Sequence, residues 1–129
     1  MIVVDASILA PAVADGGQDG IRYRQRLRNE RLVGPDLLRI EVMSVFRRQL
    51  RASTIDDTQA ARAVDDLLDL PLIVYATGPL LRRVWALRHY VSAYDACYIA
   101  LAETLGCLLL TADARLSRSP GLTCPVEVL

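Results

Sequence analysis

The strongest constraint on the fold of this chain is the stretch 92–113, SAYDACYIALAETLGCLLLTAD. Its first half has helical spacing, with Asp95 in the opening turn and Ile99, Ala102 and Leu105 continuing its face. Gly106 follows as a helix stop. Residues 107–110 then form a short apolar run with no polar alternation, the pattern of a strand covered on both faces. Such a strand belongs in a parallel sheet, and an open parallel sheet places its ligand crevice outside the carboxyl ends of its strands. Thr111, Ala112 and Asp113 leave the strand at that end. Asp113 is therefore a candidate for chemistry, with Asp95 as a candidate neighbour.

The same alternation runs through the chain. Ile2-Val3-Val4 is a β-branched strand with Asp5-Ala6-Ser7 at its carboxyl end. A short helix is expected over residues 8–14, with Pro11 near its start. Asp15-Gly16-Gly17 is a turn, and a second helix covers 21–28. Residues 31–33 are a brief strand ended by Gly34-Pro35. Asp36 is the expected N-cap of a helix over 37–51, whose apolar stripe is Leu38, Val42, Val45 and Phe46. Glu41 falls on or beside that stripe, where a carboxylate is costly unless it is paired. Residues 54–57 form a capping-box pattern opening a helix to 68. A third strand covers 72–75, a helix runs from Thr77 to about His89 with Leu80, Val84 and Leu87 inward, and a last strand covers 126–129. Strands alternating with helices predict an α/β sandwich around a parallel sheet of about five strands.

Composition narrows the class. The chain has 129 residues, the size of one domain, and its apolar fraction of 53% supports a real core. Net charge is zero, so no overall field draws it to nucleic acid or membrane, although a local patch can still do so. All 15 basic residues are arginine, which excludes any mechanism needing a lysine amine. Cys97, Cys107 and Cys124 have neither C-x-x-C nor zinc-site spacing and read as buried thiols in a reducing cytoplasm. No apolar run is long enough to span a bilayer. The N-terminal stretch lacks the basic residue of a signal peptide and is interrupted by Asp5, so a strand and helix are expected there instead. One domain over residues 1–129 is expected.

Each acid has an ordinary structural role open to it. Asp5 or Ser7 can cap a helix, Asp95 completes the pattern Ser92-x-x-Asp95, Asp113 can cap the turn after its strand, and Glu41 can be a surface residue. Taken together they point elsewhere. Four carboxylates converging on one crevice repel each other and raise their pKa values unless a cation compensates them. Mg²⁺ or Mn²⁺ suits such oxygen-only ligands. With no evident His or Cys nucleophile, the chemistry indicated is metal-dependent phosphodiester hydrolysis.

Asp5-Ala6-Ser7 after an apolar strand, Glu41 in the third helical segment, Ser92-Ala93-Tyr94-Asp95-Ala96 with Tyr98 and Ala102, and Thr111-Ala112-Asp113 with Leu116 resemble a PIN domain. The resemblance covers nearly the whole chain and is similar in size and spacing to VapC-type toxins of bacterial toxin–antitoxin pairs. It implies a three-layer α/β/α sandwich and a Mg²⁺- or Mn²⁺-dependent endoribonuclease leaving a 5′-phosphate and a 3′-hydroxyl. The family's four acids carry over to Asp5, Glu41, Asp95 and Asp113. Asp5 and Asp95, with Asp113 next, are the implied metal ligands, Glu41 the residue that orients a metal-bound water or joins a second ion, and Ser7 and Thr111 the supporting hydroxyls. Some relatives carry a further acid just beyond the fourth, where this chain has Arg115. The resemblance also implies RNA as substrate, a cognate antitoxin as partner, a homodimer and a cytoplasmic location without membrane attachment.

The other conspicuous residues have plainer readings. Arg22, Arg24, Arg26 and Arg28 do not make one stripe and read as a solvated helix face rather than an RNA track. Trp85, Tyr90, Tyr94 and Tyr98 are expected in a core or interface. His89, the lone histidine, is expected at the surface or a helix end. A receiver domain needs a lysine, and a haloacid-dehalogenase-like phosphatase needs an acid where Ser7 stands. The alternative of another class is a catalytically silent PIN-like binding module, which metal-dependent cleavage would separate from an enzyme.

Overall fold

The computed structural model describes residues 1–129. Five short strands, β1 (Ile2–Val4), β2 (Leu32–Pro35), β3 (Ile73–Tyr75), β4 (Leu108–Thr111) and β5 (Val126–Val128), form one sheet in the order β3-β2-β1-β4-β5. Every pairing is parallel. The three inner strands, β2, β1 and β4, are buried almost throughout, and the central β1 is wholly apolar, as burial on both faces requires.

Seven helices connect the strands: α1 (Ala6–Ala14), α2 (Gln18–Leu27), α3 (Leu38–Arg51), α4 (Asp57–Asp69), α5 (Leu81–Ala86), α6 (Ala93–Leu105) and α7 (Ala114–Ser117). On one side α1 packs against α2, α3 and α4, and on the other α6 packs against α5, β1 and β2. The result is the expected α/β/α sandwich. Leu38, Val42 and Phe46 of α3 are buried as its stripe requires, and so are Leu80, Val84 and Leu87. Helix α6 is buried nearly all round from Ala96 to Ala102. It ends at Gly106, whose φ of 63° is the left-handed conformation that glycine adopts without strain.

Several boundaries differ from the sequence expectation, each for a local reason. Helix α1 starts at Ala6 because the Asp5 side chain caps it, which leaves Pro11 in the helix interior. Helix α2 starts at Gln18 rather than at residue 21. Gly34 and Pro35 continue β2 instead of ending it: their pairing with β1 has stopped by then, so the missing proline N–H interrupts no bond on that side. Asp36 does not cap α3; its backbone N–H donates to Tyr75 O at 2.8 Å, and Leu37 takes the cap position without a side-chain bond. The capping box of α4 is Asp56 with Gln59, two residues later than residues 54–57 suggest, and Thr54 instead donates to Gln49 O. The helix expected from 77 to 89 is a single 3₁₀ turn followed by the short α5.

Candidate active site

The strand order reverses at β1. The chain runs outward through β2 and β3, then returns to lay β4 on the other side of β1. A crevice at such a switch point, beyond the carboxyl ends of β1 and β4, is the usual ligand site of this architecture. Asp5 follows β1 directly, and Asp113 lies two residues beyond β4. The capped start of α6 brings in Asp95, and the first turn of α3 brings in Glu41. All four line one cavity of about 260 Å³, together with Ser7, Ser44, Arg48 and Tyr98.

Asp5 is the most enclosed of the four, only 7% exposed. The pairing of Val4 with Leu110 sets it beside Thr111. Its Oδ1 accepts from Ser7 N at 3.0 Å and from Ser7 Oγ at 2.5 Å, and its Oδ2 accepts from Thr111 Oγ1 at 2.5 Å. The hydroxyls in turn accept from the next strand end: Ala112 N donates to Ser7 Oγ at 2.9 Å and Asp113 N to Thr111 Oγ1 at 3.0 Å. Burial pushes the Asp5 carboxyl above its ordinary value, and these hydrogen bonds oppose that rise.

Glu41 is half-buried. It accepts from Tyr98 Oη at 3.1 Å. Desolvation raises its pKa, the Tyr98 bond lowers it, and the charges of Asp95 and Asp5 raise it again. Tyr98 itself is held far above its ordinary value, first by burial and then by Glu41, so it remains a neutral donor. The backbone N–H of Asp95 donates to Ser92 Oγ at 3.1 Å, which fixes the first turn of α6.

Asp113 is placed differently. Both of its oxygens are engaged by Arg115: Nε lies 3.0 and 3.1 Å from Oδ1 and Oδ2, and Nη2 lies 2.6 Å from Oδ2. Arg115 N also donates to Oδ1 at 2.9 Å, capping α7. This pairing holds the Asp113 carboxyl below its ordinary value. As the side chains stand, no three carboxylates are set to share one ion.

The oxygen-only donor set, with Asp5 raised by burial and Glu41 by burial and the neighbouring acids, suits a hard divalent cation in kind. The arrangement also contains residues that the sequence reading passed over. Ser44 and Arg48 line the crevice at three and seven residues beyond Glu41, one face of α3, a signal that helical periodicity carries. The hold of Arg115 on Asp113 has no such signature.

The remaining sequence candidates lie elsewhere. Arg24 donates to Ala12 O and Asp15 O, Arg26 pairs with Glu127 and Glu30, and Arg22 lies over the Tyr23 ring, so all three arginines within α2 are engaged by the protein itself. Trp85 of α5, Tyr90 in the turn after it and Tyr94 in the first turn of α6 are exposed, and of the four only Tyr98 is in the core. Cys97 is buried and the other two cysteines are partly so; all three are free. The largest groove, about 680 Å³ between α1, α2 and α4, contains none of the four acids.

The model of the PIN domain matches residues 2–122. The chain therefore belongs to the PIN-domain family. Within it, the chain is similar to VapC ribonuclease Mb0985 of Mycobacterium bovis, 40% identical over 129 residues, which is all of this chain and 98% of that protein. The fold is also similar to two solved structures. One is VapC20 of Mycobacterium tuberculosis, described as a sarcin-ricin loop cleaving toxin (TM-score 0.71, 17% identity, 95% of this chain and 97% of that one). The other is VapBC2 of Rickettsia felis bound to a DNA fragment from its promoter (TM-score 0.71, 16% identity, 99% and 98%).

Proposed function

We propose that this chain is a metal-dependent endoribonuclease, the toxin of a toxin–antitoxin pair, acting as a single domain over residues 1–129. The observation that carries the reading is the convergence of Asp5, Glu41, Asp95 and Asp113, from four separate elements, on one cavity at the switch point of the sheet. The full-length likeness to a VapC ribonuclease supports RNA as the substrate.

Asp5, Asp95 and Asp113 would hold Mg²⁺ or Mn²⁺. When bound, such an ion activates water and neutralises charge on a phosphodiester. The protein's own part is positional. Ser7 and Thr111 fix both oxygens of Asp5, so its carboxylate is set before any ligand arrives. Tyr98 aims Glu41 into the crevice, where Glu41 orients the attacking water and accepts its proton. Asp113 has to leave Arg115 to serve as a ligand. RNA is cut to a 5′-phosphate and a 3′-hydroxyl, with no role for the 2′-hydroxyl as nucleophile.

The partners in this reading are RNA, a cognate antitoxin and a second copy of the chain. No helix is long and apolar enough to cross a membrane, and the protein acts in the cytoplasm. The test is cleavage of total cellular RNA by the purified, antitoxin-free protein with Mg²⁺ or Mn²⁺, with EDTA, and with Asp95→Asn. Discrete fragments are expected with metal, with a loss of at least about a hundredfold in the variant and in EDTA. RNA left intact by a folded, metal-loaded protein would instead favour a binding module without turnover.

A further inference from the structure

A second cavity, about 510 Å³, adjoins the acid crevice and shares Asp95 and Asp113 with it. Its other walls are of opposite character. Arg88, His89 and Tyr90 come from the segment joining α5 to α6, and Arg115 comes from α7. The Arg88 guanidinium lies over the Trp85 ring, 4.8 Å from its centroid, and Nη1 donates to Trp85 O at 3.0 Å. That anchor fixes the group while leaving the rest of its fork pointing to no protein acceptor. Tyr90 is 52% exposed, with its ring edge close to Gly121.

A strand of nucleic acid brought to four carboxylates needs compensating charge beside them. Arg48 supplies one cation on the α3 side of the crevice. The second cavity concentrates two arginines and the lone histidine on the other side. Guanidinium forks match phosphate oxygens. An exposed tyrosine ring and a guanidinium plane are platforms for an unpaired base. The volume falls within the range of small-ligand sites.

We propose that this cavity binds the nucleotide next to the scissile bond, with its phosphate against Arg88, His89 and Arg115 and its base against Tyr90. The proposal rests on the ribonuclease reading of the acid crevice. It makes single-stranded RNA the form bound, since a paired base cannot reach Tyr90. It also makes Arg115 a shared group, which exchanges the Asp113 carboxylate for the RNA phosphate.

His89 is the lone histidine, so its imidazole C–H signals in an NMR spectrum need no assignment by mutation. The probe is uridine 5′-monophosphate, which has no internucleotide bond to cut, titrated into the Mg²⁺-loaded wild-type protein, with uridine as the phosphate-free comparison. The expected result is a saturable shift of the His89 signals with the monophosphate, a much smaller one with uridine, and affinity about tenfold weaker in Arg88→Ala. Arg62→Ala, an exposed charge in α4, should leave the titration unchanged. In RNA cleavage, Arg88→Ala should raise KM about tenfold and change kcat far less. An unmoved His89 signal with an unchanged KM in Arg88→Ala, while the wild type still cuts RNA, would overturn the cavity assignment and leave the ribonuclease reading intact. Failure of the wild type to cut any RNA would overturn that reading, and the assignment with it, even if the monophosphate bound.

Discussion

At the scale of single residues, the four acids are not equivalent. Asp5 is locked by two hydroxyls and the start of a helix, whereas Asp113 is held by an arginine two residues away that is itself largely exposed. An exposed ion pair is weak, so in the proposed reading Arg115 would compete with a cation for Asp113 without excluding it. The effects of removing it should therefore have opposite signs for the two ligands. Arg115→Ala should tighten Mn²⁺ binding about two- to fivefold, the range an exposed pair can carry, and weaken binding of uridine 5′-monophosphate. Calorimetric titration of each ligand checks both, and equal Mn²⁺ affinity in variant and wild type would show that the pair does not restrain Asp113. The acids themselves were legible in the sequence because each sits at a strand end or a helix start that local pattern reveals. The Arg115 clamp and the Tyr98–Glu41 bond were not. The first depends on a rotamer, and the second joins residues 57 positions apart through two helices that cross only in the folded chain.

At the scale of elements, the sheet and its helices followed from apolar runs and helical spacing, and the boundaries followed less well. Asp36 and Asp56 show why. Both precede a helix, but Asp36 is drawn into the end of the sheet by Tyr75, whereas Asp56 is free to cap. Sequence pattern does not distinguish a cap from a residue recruited by a strand elsewhere. A similar long-range contact ties α5 to α6. Arg83 pairs with Glu103 at 2.7 Å and donates to Gly121 O, and Glu103 also accepts from Thr123 N at 2.9 Å. Arg83 holds the Glu103 carboxyl below its ordinary value of 4.5. The contribution of this pair is therefore complete above that value and is lost as pH falls through the lower folded one. Glu103→Gln should cost about 1 kcal/mol, discounted for the partial exposure of Arg83, in urea denaturation at neutral pH. The difference from wild type should shrink in strongly acidic buffer. A cost that stayed constant with pH would mean lost packing rather than lost charge.

At the scale of the whole molecule, the acid cluster at the switch point works against the stability of the chain that carries it. Asp5 and Glu41 are desolvated carboxyls whose folded pKa values lie above their ordinary ones, and Asp95 adds its repulsion to Glu41. Between the unfolded and the folded value of each, the native state holds more protons than the unfolded chain, so their contribution to stability falls as pH rises through that window. Above that window the metal-free protein bears the full cost. Two consequences can be measured by thermal unfolding. Glu41→Gln keeps an acceptor for Tyr98 and removes a charge, so the metal-free variant should melt higher than wild type at pH 8, with the gain disappearing toward pH 4. Mn²⁺ at about a hundred times its Kd should stabilise the wild type by about 2.7 kcal/mol, a rise of several degrees, and more at pH 8 than at pH 5, where protons compete for the same oxygens. The two effects should not add, because the variant has already removed part of the repulsion that the cation offsets. A variant no more stable than wild type at pH 8, or a Mn²⁺ gain independent of pH, would mean that the four acids do not share one electrostatic site.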